Sequence, residues 1–233
     1  MKRSKPVVAI DGPAGSGKTT VAWNVAQHLG FTLVDTGAIY RCLALLARRE
    51  QVSETDGAAL ASLVGRMRIR LSQGEGRLRV WLNDEEVTEG IREPSISQAA
   101  SKVSAHPPVR GALLALQREL GKNGGVVLEG RDIGTVVFPD AEVKVFLRAD
   151  PQVRARRRTL ELCAKGLVAD GEQTLREIRE RDQRDEQRAC APLVAAADAV
   201  VIDTGPLTLA QVTAEVLGLV QACVGQASGL EGG

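Results

Sequence analysis

The sequence predicts a three-layer α/β/α domain built around a central parallel sheet of five strands. Four apolar runs, at residues 7–10, 125–129, 143–147 and 199–203, are predicted to be buried strands. A shorter strand is expected at 32–35, and helix-length segments lie between the strands. This alternation is typical of a parallel sheet that is covered by helices on both faces.

A different pattern interrupts the alternation between about residues 65 and 90. The segments MRIRL and LRVWL alternate apolar with basic or polar residues, and SQGEG separates them. Period-two patterning around a glycine-containing turn predicts a small antiparallel sheet with one solvent-exposed face. We therefore expect an inserted subdomain here. The last residues, 226–233, are expected to form a flexible tail.

The composition excludes several classes of function. The 233 residues are 44% hydrophobic and 25% charged, which is ordinary for a globular protein. A net charge of +1 provides no global field for nucleic acid or an anionic membrane. Aromatic residues make up only 3%, which leaves few platforms for stacking single-stranded bases. We expect neither nucleic acid nor a membrane as a partner.

Cysteine and histidine are too sparse for the sites that they usually build. The four cysteines are far apart and form no CxxC pair, and there are only two histidines. A disulfide scaffold, a zinc site and a Cys-His nucleophile are all unsupported. The N-terminal apolar run of residues 7–10 is too short for a signal peptide. A cytoplasmic location is the expectation.

The segment GPAGSGKT after the first strand matches the phosphate-binding pattern G-x-x-x-x-G-K-[ST]. Its glycines let backbone N–H groups surround phosphate oxygens at a helix N-terminus. Lys18 would reach the β- and γ-phosphates of ATP, and the Thr19 hydroxyl would ligate Mg²⁺. The alternative is a chance glycine-rich turn. The expected nucleotide-binding residues are Gly12, Pro13, Ala14, Gly15, Ser16, Gly17, Lys18, Thr19 and Thr20. A signalling GTPase is not expected, because the sequence lacks the guanine-reading N-K-x-D.

Polar residues follow the predicted strands at their carboxyl ends, where parallel sheets bind ligands. They are Asp11, Gly12, Asp35, Thr36, Glu129, Gly130, Arg131, Asp132, Arg148 and Asp203. Arginine suits phosphate oxygens, so Arg131 is favoured as a site residue. For Arg41 a surface position is equally compatible with the sequence. The cluster RARRR, residues 154–158, is by itself expected to be a solvated basic helix.

The stretch RERDQRDEQR, residues 179–188, continues a helix whose inward residues are Leu175 and Ile178. At 3.6 residues per turn, the same stripe runs through Arg181 or Asp182, then Asp185 and Arg188. Burying unpaired charge is costly, so we expect this end of the helix to face a cleft. The alternative is a helix end in water with i,i+4 ion pairs.

With these residues in view, the sequence resembles the bacterial cytidylate kinases of the nucleoside monophosphate kinase group. The resemblance spans nearly the whole length and includes the antiparallel insert. The segments that carry it are IDGPAGSGKTT, DTGAIYR, IREPSISQAASKVSAHPPVR, EGRDIGTVVFPDAEVKVFL and RERDQRDEQRACAPL. It implies one kinase domain over residues 1–225, with an acceptor-binding subdomain at about 38–105 and a short helical lid at about 151–169.

The resemblance also implies a reaction and a monomeric enzyme: transfer of the γ-phosphoryl group of MgATP to CMP or dCMP. Catalytic roles would fall to Lys18, Arg131 and Arg188, and Arg157 in the lid would contact ATP. The implied acceptor-binding residues are Thr36, Arg41, Ser101, Arg110, Arg131, Asp132, Arg181, Asp185 and Arg188. Ser101, Arg110 and Asp132 would read cytosine, although Ser101 and Arg110 alone would be assigned to helix surfaces.

The sequence departs from the family pattern at two positions. Thr36 stands where serine is common, which keeps the hydroxyl, and Glu129 stands where aspartate is common before Gly130. Two other functions stay open at this point. One is a kinase for another nucleoside monophosphate, UMP or AMP, and the other is a non-catalytic ATP-binding switch module.

Overall fold

The computed structural model describes residues 3–74 and 76–229, except for the side chains of residues 226–229. These residues divide into two compact units. The first contains residues 3–31 and 123–229, and the second contains residues 32–122.

The strands and helices follow the order that the sequence pattern predicts, with additional short elements. The strands are β1 (Val7–Asp11), β2 (Thr32–Asp35), β3 (Ile69–Gly74), β4 (Arg77–Leu82), β5 (Glu85–Glu86), β6 (Val126–Gly130), β7 (Val143–Arg148) and β8 (Val200–Asp203). The α-helices are α1 (Lys18–Leu29), α2 (Thr36–Arg49), α3 (Gly57–Val64), α4 (Pro94–Val103), α5 (Pro107–Gly121), α6 (Pro151–Ala164), α7 (Gly171–Gln187) and α8 (Leu209–Gly229). A 3₁₀ turn spans Gly90–Arg92, and a π-helical turn spans Ile133–Val137.

The central sheet has five strands in the order β2-β6-β1-β7-β8, which confirms the predicted parallel sheet. Strand β1 pairs in parallel with β6 and β7, with Ile10 opposite Glu129 and Val145. Every residue of β1 is buried, as expected for a strand with neighbours on both sides. The carboxyl ends of β1, β6 and β7 therefore lie side by side, and the site residues follow them.

Residues 199–203 were predicted to form a buried strand; the strand is present, but the prediction that it is buried was wrong. Strand β8 is at the edge of the sheet, beside β7 alone. Val200 and Val201 are 44% and 46% exposed, and within the strand only Ile202 is buried. An apolar run predicts a strand, but it does not reveal whether the strand is central or at an edge.

The insert forms the predicted small antiparallel sheet, with a third strand that the sequence pattern did not indicate. Strands β3 and β4 pair with Leu71 opposite Val80, and the two-residue β5 pairs with β4. Alternate β4 residues Leu78, Val80 and Leu82 are buried. On the other face, the guanidinium of Arg70 stacks 3.7 Å from the ring centroid of Trp81.

The lid, the acceptor-binding subdomain and the tail that the sequence predicts correspond only in part to elements of the structure. Helix α6 covers most of the predicted lid, whose movement stays a prediction. The second unit, 32–122, is wider than the predicted acceptor-binding subdomain. Helix α8 continues to Gly229, so the backbone of residues 226–229 is helical, and the rest of the expected tail lies outside the described residues. In the described chain, every helix is too short or too polar to cross a membrane.

Candidate functional site

The phosphate loop occupies the turn between β1, which ends at Asp11, and α1, which begins at Lys18. All three of its glycines have positive φ angles: 146° at Gly12, 76° at Gly15 and 91° at Gly17. L-residues rarely adopt such angles, so the loop needs glycine to turn its backbone toward a ligand. The strand-loop-helix context that the motif requires is therefore present.

We expect Gly12→Ala to destabilise the protein far more than Gly30→Ala. A Cβ at Gly12 would lie 2.1 Å from the carbonyl oxygen of Leu147, whereas a Cβ at Gly30, also at positive φ, would meet nothing within 4 Å. Backbone strain alone costs about 1 kcal/mol, and the overlap should raise the loss at Gly12 to about 3 kcal/mol or more. Urea denaturation of both variants measures this, and equal losses would contradict the packing described.

Lys18 folds back over the loop. Its Nζ donates to the carbonyl oxygen of Pro13 at 2.7 Å, and the side chain is buried. Burial is the largest influence that lowers the pKa of Lys18, and Arg131 lowers it further, while Glu129 opposes the shift. Because an anion would favour the charged form, this lysine is suited to binding phosphate. Thr19 and Thr20, in the first turn of α1, are exposed.

Asp11 anchors the carboxyl end of β1 to the π-helical turn. Its two carboxylate oxygens accept hydrogen bonds from the backbone N–H groups of Ile133 and Gly134, both at 2.8 Å. Burial raises the pKa of Asp11 to about 6, although these two hydrogen bonds act in the opposite direction. The carboxylate therefore holds the backbone that directly follows Arg131 and Asp132, and is engaged in the fold.

Three arginines surround Asp185 on helix α7 in the first unit. Arg131 Nε donates to Asp185 Oδ2 at 2.9 Å, and Arg181 Nε lies 3.9 Å from the same oxygen. Burial, the largest single influence, raises the pKa of Asp185, but Arg131, Arg181 and Arg188 together hold it below its usual value. Asp185 is thus an ionised carboxylate among guanidinium groups, an arrangement that can accept both hydroxyl and phosphate groups.

Arg188 and Asp132 extend this cluster beyond the end of α7. Arg188 Nη2 lies 3.6 Å from Asp132 Oδ1, and Arg188 Nε donates to the carbonyl oxygen of Ala191 at 2.5 Å. Both side chains are buried, and Ala191 has a φ of 51°. The structure therefore brings together Arg131, Asp132, Arg181, Asp185 and Arg188, which the sequence and the resemblance had singled out.

The burial pattern of α7 agrees with the predicted stripe. Thr174 and Ile178 are buried in its first half, and Asp182 and Asp185 are buried in its second half. Leu175, expected to point inward, is half-buried instead. A helix end that projects into water would expose both aspartates, so that alternative is excluded.

The expectation that residues 154–158 form a solvated basic helix was wrong for Arg154. Its side chain is 3% exposed and donates to both carboxylate oxygens of Asp182, at 3.1 and 2.6 Å. Arg156 is exposed, as expected of a solvated face. Sequence reasoning missed the burial of Arg154 and its bond to Asp182, which it had placed on the inward stripe as an alternative to Arg181. The residues near Arg154 gave no signal of this burial, because its partner is 28 positions away.

Arg157, the predicted ATP contact, is bound to Thr204 just beyond β8. Its guanidinium donates to Thr204 Oγ1 at 3.0 Å and to the Thr204 carbonyl oxygen at 2.6 Å. Thr204 Oγ1 in turn donates to the carbonyl oxygen of Ser16 at 3.1 Å. Arg157 therefore reaches the phosphate loop through Thr204. Sequence reasoning missed Thr204, although the strand-end rule had singled out the preceding residue, Asp203.

In the second unit, Asp35 organises the start of α2. Its Oδ1 accepts from the backbone N–H of Ala38 at 2.9 Å, and its Oδ2 accepts from Arg41 Nη2 at 2.6 Å. The N-cap therefore also fixes the arginine that lies six residues later. Thr36, the first residue of α2, is buried, and Arg41 is half-buried, so Arg41 is not a solvated surface residue.

Ser101 and Arg110 are both buried, at 3% and 7% exposure, which corrects the helix-surface assignment that sequence alone gives them. Arg110 Nη1 donates to the carbonyl oxygen of Ser104 at 3.2 Å, and its guanidinium lies 5.6 Å from the ring centroid of Tyr40. The two residues lie on consecutive helices, α4 and α5. Both side chains therefore lie in the interior of the second unit and not on the solvated faces of these helices.

Within the described residues, no three His, Cys, Asp or Glu side chains are grouped so that they could hold a metal ion. Mg²⁺ in phosphoryl-transfer sites usually has only one or two protein oxygens and takes its other ligands from phosphates and water. The exposed Thr19 hydroxyl beside the phosphate loop fits that requirement. Glu129 is buried at the end of β6 and raises the pKa of Lys18, which is an electrostatic effect.

The comparisons with known proteins agree with this geometry. The family model for cytidylate kinase matches residues 8–222. A cytidylate kinase of Pelotomaculum thermopropionicum is 50% identical over 94% of this chain and 97% of its own. One from Syntrophotalea carbinolica is 50% identical over 92% and 91%, and one from Aeromonas salmonicida is 45% identical over 98% and 99%. With matches of this extent, and with the phosphate loop and arginine cluster in place, the chain belongs to the cytidylate kinase family.

Proposed function

We propose that this protein is a nucleoside monophosphate kinase that transfers the γ-phosphoryl group of MgATP to CMP or dCMP, giving CDP or dCDP. The observation that carries the proposal is the set of three arginines around the buried Asp185, in a chain of the cytidylate kinase family. A phosphate loop by itself indicates only that the protein binds a nucleotide. A second group of fixed cations is needed when an acceptor phosphate must also be held.

The donor would be bound by the phosphate loop of the first unit. Positive-φ glycines and the N-terminus of α1 direct backbone N–H groups toward phosphate oxygens, and Lys18 supplies a cation. Thr19 is the proposed Mg²⁺ ligand, and bound Mg²⁺ would neutralise charge on the β- and γ-phosphates. Arg157 is proposed to stabilise the loop through Thr204, and contact ATP after lid closure.

The acceptor phosphate and sugar would be bound mainly by arginine and aspartate. Arg131 and Arg188 are proposed to hold the phosphate and the group in transfer, since planar guanidinium groups pair with phosphate oxygens in a bidentate manner. Arg181 and Asp185 are proposed to bind the sugar hydroxyls. In the second unit, Arg41 is proposed as a further phosphate contact, and its position is fixed by Asp35.

Recognition of cytosine is assigned to Ser101, Arg110 and Asp132. Cytosine donates from its N4 amino group and accepts at N3 and O2. Asp or Ser can accept from the amino group, and Arg110 can donate to the accepting edge. Uracil presents the reverse pattern at N3 and position 4, so the same side chains would leave buried groups unpaired with UMP.

The chemistry requires positioning and electrostatics more than proton transfer. An oxygen of the acceptor phosphate is already largely ionised, so an in-line attack on the γ-phosphorus needs no general base. Lys18, Arg131 and Arg188 would stabilise the charge spread over the moving group. The proposed closure of the lid, in the part of residues 151–169 that lies beyond Arg154, would exclude water, which is the competing acceptor.

The acceptor is identified by measuring ADP release from MgATP with CMP, dCMP, UMP, AMP and dTMP in parallel. We expect CMP and dCMP to give kcat/KM values roughly 10²-fold or more above the others, because a mismatched base leaves buried polar groups unpaired. A preference for UMP or AMP would overturn the cytosine assignment. ATP binding without stimulation by any acceptor would favour a non-catalytic switch module.

We further propose that the enzyme acts as a cytoplasmic monomer. The resemblance to bacterial cytidylate kinases supports the monomer, and the near-zero net charge gives no support for a nucleic-acid or membrane partner. Light scattering coupled to size exclusion tests the proposal directly, with a mass of about twice 24.8 kDa as the contradicting result.

A further inference from the structure

Arg154, at the start of α6, links three parts of the first unit through one buried guanidinium. Its Nε donates to the carbonyl oxygen of Ala149 at 2.8 Å, and its Nη1 donates to the carbonyl oxygen of Ala14 in the phosphate loop at 3.1 Å. Nη1 and Nη2 also bind both carboxylate oxygens of Asp182 on α7. The guanidinium is planar and rigid, so it can bind all of these acceptors in one orientation only. It therefore fixes the positions of the segments that carry them relative to one another.

The contact with the phosphate loop is close as well as polar. A Cβ at Gly15 would lie 3.1 Å from the Cβ of Arg154 and 3.4 Å from its carbonyl oxygen. Gly15 thus permits α6 to pack directly on the loop, at a position with φ of 76°. The loop backbone at residues 14 and 15 is therefore held by Arg154 on two sides, through packing and through a hydrogen bond.

The partner of Arg154 belongs to the helix that carries the proposed acceptor-binding side chains. Asp182 immediately follows Arg181 and precedes Asp185 by one helical turn. A helix is stiff over one turn, so fixing Asp182 fixes the rotation and the axial position of Asp185. The hydrogen bonds of Arg154 to Ala14 and to Asp182 therefore connect the phosphate loop directly to α7.

Stability is a weak reason for such a pair. Apolar residues of similar volume often replace a buried ion pair with little loss, since desolvating both charges offsets their attraction. The pair differs from the exposed ion pair of Arg158 and Glu161 on the same helix, whose side chains are 29% and 48% exposed. A geometric role accounts for a buried guanidinium whose acceptors belong to three different segments.

We propose that Arg154 and Asp182 are positioning residues, which set the acceptor-binding helix α7 at a fixed distance from the phosphate loop that binds the donor. The inference rests on the proposed function. It implies that breaking the link slows phosphoryl transfer, because reacting groups displaced by about 1 Å can lose on the order of 10²-fold in rate. Each substrate would still bind, since neither residue is a proposed substrate contact.

The test compares the double variant Arg154→Met with Asp182→Leu against the wild type, and uses Arg158→Met with Glu161→Leu as the matched control. We expect kcat of the first double variant to fall roughly ten- to hundredfold. The dissociation constants of ATP and of CMP, each measured alone by calorimetry, should change less than about threefold. The control should keep kcat within about twofold, since exposed ion pairs contribute little.

Unchanged kcat in a folded first double variant would overturn the inference, and so would a parallel loss of both binding constants with kcat retained. If that variant does not fold, Arg154→Lys replaces it. Lysine keeps the charge but cannot reach Ala14 and both Asp182 oxygens, so kcat should still fall about tenfold, and full activity would overturn the inference. A wild-type protein that is inactive with every acceptor would instead contradict the proposed function.

Discussion

Lys18→Met is expected to reduce kcat by about 10²–10³-fold while the protein remains folded. The lysine is buried in the phosphate loop and is the cation that the loop itself supplies to the transferred group. Removing one well-placed donor from a site where charge develops has a cost of this size. Methionine keeps the length and the apolar stem of the side chain. Because the variant no longer buries a charged group, its stability should be unchanged or improved.

The measurement is single-turnover transfer from ATP to CMP, with thermal unfolding as the check on folding. Lys165→Met is the matched control, because this lysine is exposed just beyond α6 and its ammonium forms an ion pair with Glu161. We expect that control to keep the wild-type rate. A Lys18→Met variant with near-normal kcat would place the transferred group away from this loop.

Asp185→Asn is expected to raise the KM for CMP about 30- to 100-fold and to leave ATP binding within about twofold. The substitution removes the negative charge that Arg131, Arg181 and Arg188 share. The expected change corresponds to about 2–2.7 kcal/mol, which lies within the roughly 1.5–3 kcal/mol that hydrogen bonds to charged groups contribute. Arg181→Ala should act in the same direction, because it removes the guanidinium that is proposed to bind the sugar hydroxyls.

Titration calorimetry with ATP and with CMP separates the two effects, and Glu180→Gln on the exposed face of α7 is the control. Glu180 lies on the same helix as Asp185, and the loss of its charge should change neither substrate's affinity by more than about twofold. Equal weakening of ATP and CMP in Asp185→Asn would contradict the separate donor and acceptor roles. It would indicate that the substitution disturbs the whole unit.

The sequence was informative wherever the chemistry depends on local order. The phosphate loop is contiguous, and its glycines and Lys18 belong to one strand-turn-helix unit, so spacing alone was sufficient to predict it. The charged half of α7 was also predictable, because 3.6-residue periodicity carries the inward line of Ile178 to Asp182 and Asp185. Both predictions use only residues that are neighbours along the chain.

The sequence was uninformative where a side chain depends on a distant partner. Arg154 and Asp182 are 28 positions apart, and a basic cluster on a helix is more often solvated than buried. Nothing in the residues near Ser101 or Arg110 indicates burial, and only the family resemblance raised them. The edge position of β8 was missed for the same reason, since strand order is a tertiary property.

The hydrogen bond from Lys18 to the carbonyl oxygen of Pro13 has a consequence for selectivity. An ammonium group has three N–H donors, so this bond fixes the direction of Nζ while the group can still donate to a phosphate oxygen. A charged phosphate oxygen accepts a stronger, charge-assisted hydrogen bond than the neutral hydroxyl of an unphosphorylated nucleoside. The oriented ammonium therefore favours phosphorylated ligands over uncharged analogues of the same size.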